Sequence, residues 1–306
     1  MSGENPLRGL VVVAGLALAC VLLSVVNPAL LIFVPLALLL LGQPPQRAAA
    51  IPIGVLLLAF LFTGQAAEPV WYAERGWTLL VGAWLLLVAV VRPRIRFISR
   101  ALAALGLAAA SAAVVLRIGD GSWAHLDSLV AAQIRRDVAL AGTFADQRFG
   151  ADSAASRISA VAEQAADLTV LLYPAMLALA SLAGLTLAWI AFRRLNGSAA
   201  QPLGRLREFR FPDELLWAVA VGMLLVVAPL GQEAARSGWN ILVFMGALYG
   251  LRGAAVCLSV FSWPGPLGLL AGAVAVVLLY PLVMLAIILV GLSDSWLDLR
   301  LRQRGH

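Results

Sequence analysis

Arg252 is the residue best placed to do chemistry. It interrupts the apolar run 241–261, inside Tyr249-Gly250-Leu251-Arg252-Gly253. An arginine at the centre of a membrane helix costs roughly 2.5–3.5 kcal/mol on insertion scales, so it usually faces a cavity or a partner. A deep Arg252 is expected to bind an anionic solute group or to pair with Glu233, whereas a shallow one snorkels to the headgroups. Gly250 and Gly253 would let another backbone approach, or let the helix unwind there. Asn240, beside Trp239 at the start of the run, is expected to cap the helix or to hydrogen-bond across helices. Arg252, Asn240, Trp239 and Tyr249 form the expected solute-binding set. The apolar runs offer no aspartate pair, serine–histidine pair or zinc motif, so an intramembrane enzyme is not expected. Cys20 and Cys257 read as small buried hydrophobes. His125 and His306 form no metal pair, so no metal or cofactor is expected.

The second candidate is the stretch Gly291-Leu292-Ser293-Asp294-Ser295-Trp296-Leu297-Asp298-Leu299-Arg300-Leu301-Arg302. As a helix it puts Asp294, Asp298 and Arg302 on one face, where an Asp298–Arg302 pair contributes about 0.3–0.5 kcal/mol. Trp296 would sit at headgroup level. The stretch reads as a juxtamembrane anchor or, with Arg300, as a docking site for a cytoplasmic partner. Near the other end, Gly15 and Ala19 form a small-xxx-small pair suited to close packing, within the chain or onto another protein.

These residues must be positioned by membrane helices. The chain has 306 residues, 62% hydrophobic and 12% charged, where soluble proteins carry about a quarter charged. Its apolar runs approach or exceed the roughly 20 residues that cross a bilayer. Backbone groups in lipid must pair within the segment, which calls for helices; the alternation of a membrane barrel is absent. The expectation is an all-α, polytopic transmembrane bundle of eight to nine spans. The helices are expected at 8–26, 29–42, 50–65, 75–91, 97–116, 167–192, 213–230, 237–261 and 266–292. Pro35 makes the second a candidate for a tilted or kinked half-span. The polar stretch 117–166 carries Trp123, Leu126, Val130, Ile134 and Val138 at helical spacing. It is expected to form an amphipathic helical hairpin between spans five and six, lying on the bilayer interface or serving as a lid. The layout is then 1–116 membrane helices, 117–166 extracytoplasmic segment, 167–292 membrane helices and 293–306 basic tail, all one bundle.

Every basic side chain apart from the two histidines is arginine, and the net charge is +6. The arginines cluster in short loops, which orients the protein instead of pointing to nucleic acid. Arg92, Arg94, Arg96 and Arg100 mark one cytoplasmic loop; Arg193, Arg194, Arg205, Arg207 and Arg210 mark another. With Arg8 this puts the N-terminus in the cytoplasm, most simply at a bacterial inner membrane. Residues 9–26 read as a retained first helix, not a cleaved signal. Nine crossings would leave the tail outside, although Arg300, Arg302 and Arg304 favour the cytoplasm. Eight true crossings, with a re-entrant or interfacial segment within 237–292, remove that conflict.

The tail, together with Phe211-Pro212-Asp213-Glu214-Leu215-Leu216-Trp217 and the stretch from Trp239 to Val256, resembles the YybS-like family of bacterial multi-pass membrane proteins. Arg252 stands where that family would have glutamine. The family brings no established activity. Pro35 to Gly42, followed by Pro52 and Gly54, is also similar to the substrate-binding subunits of energy-coupling-factor transporters. That resemblance implies a small solute in the bundle and docking through Gly15 and Ala19 onto a membrane coupling protein, with a separate ATPase module. Two functions are therefore expected in competition. One is transporter-like solute binding with no ATPase of its own, since no nucleotide-binding loop is present. The other is a non-transporting scaffold that recruits partners through the arginine-rich loops and Asp294, Asp298, Arg300 and Arg302. The oligomeric state is left open.

Overall fold

The computed structural model describes residues 28–42, 69–118, 123–149, 153–196, 209–260 and 280–297. Among them are eight α-helices and no strand. They are α1 (Pro28–Gly42), α2 (Pro69–Val91), α3 (Phe97–Ile118), α4 (Trp123–Phe149), α5 (Ser153–Asn196), α6 (Leu216–Val227), α7 (Gln232–Val260) and α8 (Tyr280–Leu297). A 3-10 turn, Asp213–Leu215, leads into α6. Among the described residues four stretches are long and apolar enough to cross a membrane: Val70–Val91, Phe97–Ile118, Val161–Leu195 and Gln232–Ser259. The helices expected at 8–26 and 50–65, and the first part of 266–292, lie outside the described residues, as do Gly15 and Ala19.

The chain divides into two compact units, Met1–Tyr173 with Ala180–Gln201, and Pro174–Leu179 with Pro202–His306. In the first, α1 runs unbroken through Pro35 and is largely buried by its neighbours, with Val34 and Leu39 among its fully buried residues. Proline cannot donate a bond to the Leu31 carbonyl. Gly184 of α5 packs against that same carbonyl, and Gly82 of α2 packs on the Pro35 backbone. Any Cβ at Gly184 would stand 2.8 Å from the Leu31 oxygen, so the missing side chain sets how near α5 comes. Indole N–H groups tie the helices laterally: Trp84 donates to the Ser111 hydroxyl at 3.0 Å and Trp77 to the Ser181 hydroxyl at 2.9 Å. In an apolar setting these are the partners that let tryptophan be enclosed.

The small-residue face of α3 is used in part. Ala101, Ala104, Leu105 and Ala108 are buried, while Gly106 faces open space. Arg92, Arg94 and Arg96 are exposed as expected of a loop, but Arg100 is not a loop residue. It lies buried in the first turn of α3, where Nη2 donates to the Pro93 carbonyl at 2.5 Å. Its guanidinium lies 5.4 Å from the Trp189 ring centre. Trp189 in turn stacks on Phe97 and meets Phe192. Arginine tolerates such burial because its planar group can stack and donate at once.

The polar stretch forms helix α4, but the segment after Phe149 joins the next span in one unbroken helix from Ser153. At 44 residues and 1.5 Å per residue, α5 is about 66 Å long, twice the thickness of a hydrocarbon core. The expected apolar stripe of α4, Leu126, Val130, Ile134 and Val138, is half-covered, whereas Leu140 and Phe144 are exposed.

In the second unit α7 packs against both α6 and α8. Glycines make both crossings. Gly222 of α6 lies against Ile241 and Leu242, and Gly238 of α7 faces the Gly222 carbonyl. Gly253 of α7 faces the Ile287 carbonyl, and Gly291 of α8 faces the Tyr249 carbonyl. The helix expected at 213–230 is shorter than a crossing, with helical residues only from Leu216 to Val227. Ala228 turns extended (φ −71°, ψ 139°) because Pro229 follows it. Gly231 then takes φ 97° to start α7, a conformation that suits glycine.

Candidate functional site

Three stretches of the second unit converge on Arg252. The side chain is 1% exposed, so it does not snorkel to the surface. Its Nε donates to Asp294 Oδ2 at 2.9 Å, and its Nη1 donates to Asp213 Oδ1 at 2.6 Å. The two carboxylates differ sharply in exposure. Asp294 is 1% exposed, whereas the Asp213 side chain is 63% exposed. Glu233, the partner expected from sequence, lies about 28 Å away along α7 at 1.5 Å per residue, beyond any side chain's reach.

Local sequence explains the convergence. Pro212 (φ −55°, ψ 131°) stops the chain short of a helix, and the Leu215 N–H donates to its carbonyl, closing the 3-10 turn that presents Asp213. Phe211 anchors this turn. It is buried edge-on against Tyr249 at 5.1 Å, and the Arg252 guanidinium lies 5.4 Å from its ring centre. On α8, Gly291 and Asp294 are three residues apart and share the face turned to α7. The close approach made at Gly291 and Gly253 therefore carries Asp294 to Arg252. The Tyr249 and Ser295 hydroxyl oxygens are both buried. Among the described residues no group of three acidic, histidine or cysteine side chains has the geometry to hold a metal.

The remaining sequence candidates lie elsewhere. Asn240 is buried about 18 Å along α7 from Arg252 at 1.5 Å per residue, so the two cannot share one small ligand. Its Oδ1 accepts the Ala175 N–H at 2.9 Å and its Nδ2 donates to the Arg236 carbonyl at 2.9 Å. Ala175 follows Pro174, whose ring disturbs the local helix bonding. Asn240 thus supplies an acceptor to a helix N–H, the cross-helix role. Trp239 is 49% exposed and lies a further residue along α7 from Arg252. Tyr249 does sit at the Arg252 cluster. Asp294, grouped by sequence with the docking residues, is turned inward onto Arg252 and is closed to a partner from solution. Asp298, Arg300 and Arg302 lie outside the described residues. Asp213, Phe211 and Ser295 were not expected at the site. The available signal was an acidic residue behind a Phe-Pro step, which reads as a helix start unless the buried arginine is seen to need a second partner.

Among the described residues, Arg252 stands between two carboxylates. Arg252 is held at one end by a buried carboxylate and at the other by an exposed one. No curated protein and no solved structure matches the chain. Residues 11–295 match the family described as Predicted membrane protein (DUF2232), and the chain belongs to that family.

Proposed function

We propose that this membrane protein binds a small anionic solute at Arg252 in exchange for Asp213, in the manner of a transporter without its own ATPase. The observation that carries the reading is the contrast between the two carboxylates on one guanidinium. Asp294 fixes Nε and offsets the cost of burying the charge. Asp213 reaches Nη1 from an exposed turn, so it is less firmly enclosed there than Asp294 is. A solute carboxylate or phosphate of similar geometry can replace it without leaving Arg252 bare. Phe211 and Tyr249 supply the apolar wall. Asn240 and Trp239 drop out of the solute set and become packing residues. In this reading the protein is YybS-like, spans a bacterial inner membrane eight or nine times with its N-terminus inside, and carries α4 with the start of α5 as an amphipathic hairpin. A membrane coupling protein and an ATPase module, reached through Gly15 and Ala19, would supply energy; this part rests on the likeness to energy-coupling-factor subunits, an analogy of fold.

A scaffold reading draws on one feature of the same site. Asp294 precedes Asp298 by four residues in the sequence, so a partner gripping Asp298, Arg300 and Arg302 would act close to the Arg252 cluster. Titration of detergent-purified protein with succinate and with inorganic phosphate separates the two. Binding that strengthens in Asp213→Asn supports solute exchange. Unchanged binding in Asp213→Asn, or none in either protein, favours the scaffold.

A further inference from the structure

We infer that the Arg252 site lies at the membrane face marked by the charged turn Arg210, Asp213 and Glu214, and that Asp294 reaches that same face. Asp213 and Asp294 both lie within hydrogen-bond distance of one guanidinium, at 2.6 and 2.9 Å. A guanidinium is only a few ångströms across, so residues 213 and 294 stand at one depth in the membrane. That depth is a boundary. Arg210, Asp213 and Glu214 are three charged residues within five positions, the sequence mark of a span's end. Arg252 lies about 30 Å along α7 from Gln232, which is the thickness of a hydrocarbon core. Gln232 and Glu233 therefore mark the opposite face.

The chain between 213 and 294 then crosses the membrane an even number of times, where separate crossings at 213–230, 237–261 and 266–292 would make an odd number. The positive-inside rule favours the cytoplasm both for Arg210 and for the arginines that follow Asp294 in the sequence, and one shared face satisfies it for both. Exchange at Arg252 takes place from the cytoplasmic side. The shared face rests on the geometry of the ion cluster and stands whether or not a solute binds there.

The test is labelling of single cysteines by a membrane-impermeant maleimide in intact cells and in inverted vesicles, with Cys20 and Cys257 replaced by serine. Glu214→Cys and Arg302→Cys are expected to label together in inverted vesicles and to be protected in intact cells, with Glu233→Cys showing the reverse. Arg302→Cys labelling with Glu233→Cys would overturn the shared face. Trypsin on sealed vesicles provides a second measurement on the unaltered chain. Cleavage in both 193–210 and 300–304 by the same vesicles is expected; cleavage of one with protection of the other contradicts the inference.

Discussion

Removal of Asp294 and removal of Asp213 should have very different consequences, although each takes one carboxylate from the same arginine. Asp294→Ala leaves the buried Arg252 Nε without its acceptor at 2.9 Å, in a place where water cannot substitute. Breaking a buried pair by deleting one partner costs about 3–5 kcal/mol. Against a total stability of about 5–15 kcal/mol, that is a fifth or more of the margin for a typical domain. Asp213→Ala removes a shorter bond, at 2.6 Å, but from a side chain that is 63% exposed. With that carboxylate gone, solvent can enter where Asp213 stood, and the expected loss is well below that of Asp294→Ala. Bond length alone would rank the two the other way; exposure decides. The assay is heat unfolding in a mild detergent, followed by tryptophan fluorescence of Trp217 and Trp239 in this unit, with size-exclusion profiles as a check on aggregation. Arg252→Met with Asp294→Leu is the control. It removes both buried charges and should recover most of the loss, since apolar replacement of a buried pair is often neutral or stabilising. Equal losses for Asp213→Ala and Asp294→Ala, or a double variant no better than Asp294→Ala, would refute the reasoning.

Other substitutions test the packing. Gly253→Ala and Gly291→Ala each drive a methyl into a facing backbone carbonyl and should sharply reduce the yield of monodisperse protein, whereas Gly250→Ala meets only Ile288 at 3.8 Å and should be tolerated. Asn240→Ala leaves the Ala175 N–H without its acceptor and should lower thermal stability by about 1–2 kcal/mol, with no change in solute binding. Trp189→Ala empties the space between Phe97, Phe192 and the Arg100 guanidinium, and should cost about 3–5 kcal/mol in the same unfolding assay.

Much of the architecture was legible in the sequence because the membrane restricts the choices. Long apolar runs must be helices, and α2, α3 and α7 fall close to their expected ranges. Helix ends were less legible. The start of α5 hides in a polar stretch, because a helix that runs past the bilayer changes solvent without changing backbone. The end of α6 is set by Ala228 and Pro229, which apolarity alone does not register. Of the site, the arginine was legible as a cost that demanded a partner, and Tyr249 as its neighbour. The partners themselves were not. Glu233 precedes the run that holds Arg252, and a straight helix carries it away from the arginine. Asp213 and Asp294 come from other elements, and only the glycine-made crossing of α7 and α8 brings Asp294 to the arginine. Asp294 also read as part of an exposed face because its i, i+4 neighbours are charged; that pattern does not report which side of a helix is covered.

The most direct test of solute exchange at Arg252 is native mass spectrometry of the protein extracted gently from its own membranes, as wild type, as Asp213→Asn and as the Arg252→Met, Asp294→Leu double variant. A bound anionic molecule of one defined mass is expected on the wild type, with higher occupancy on Asp213→Asn and none on the folded double variant. A wild type that carries lipids alone, or a double variant that keeps the same ligand, would contradict it.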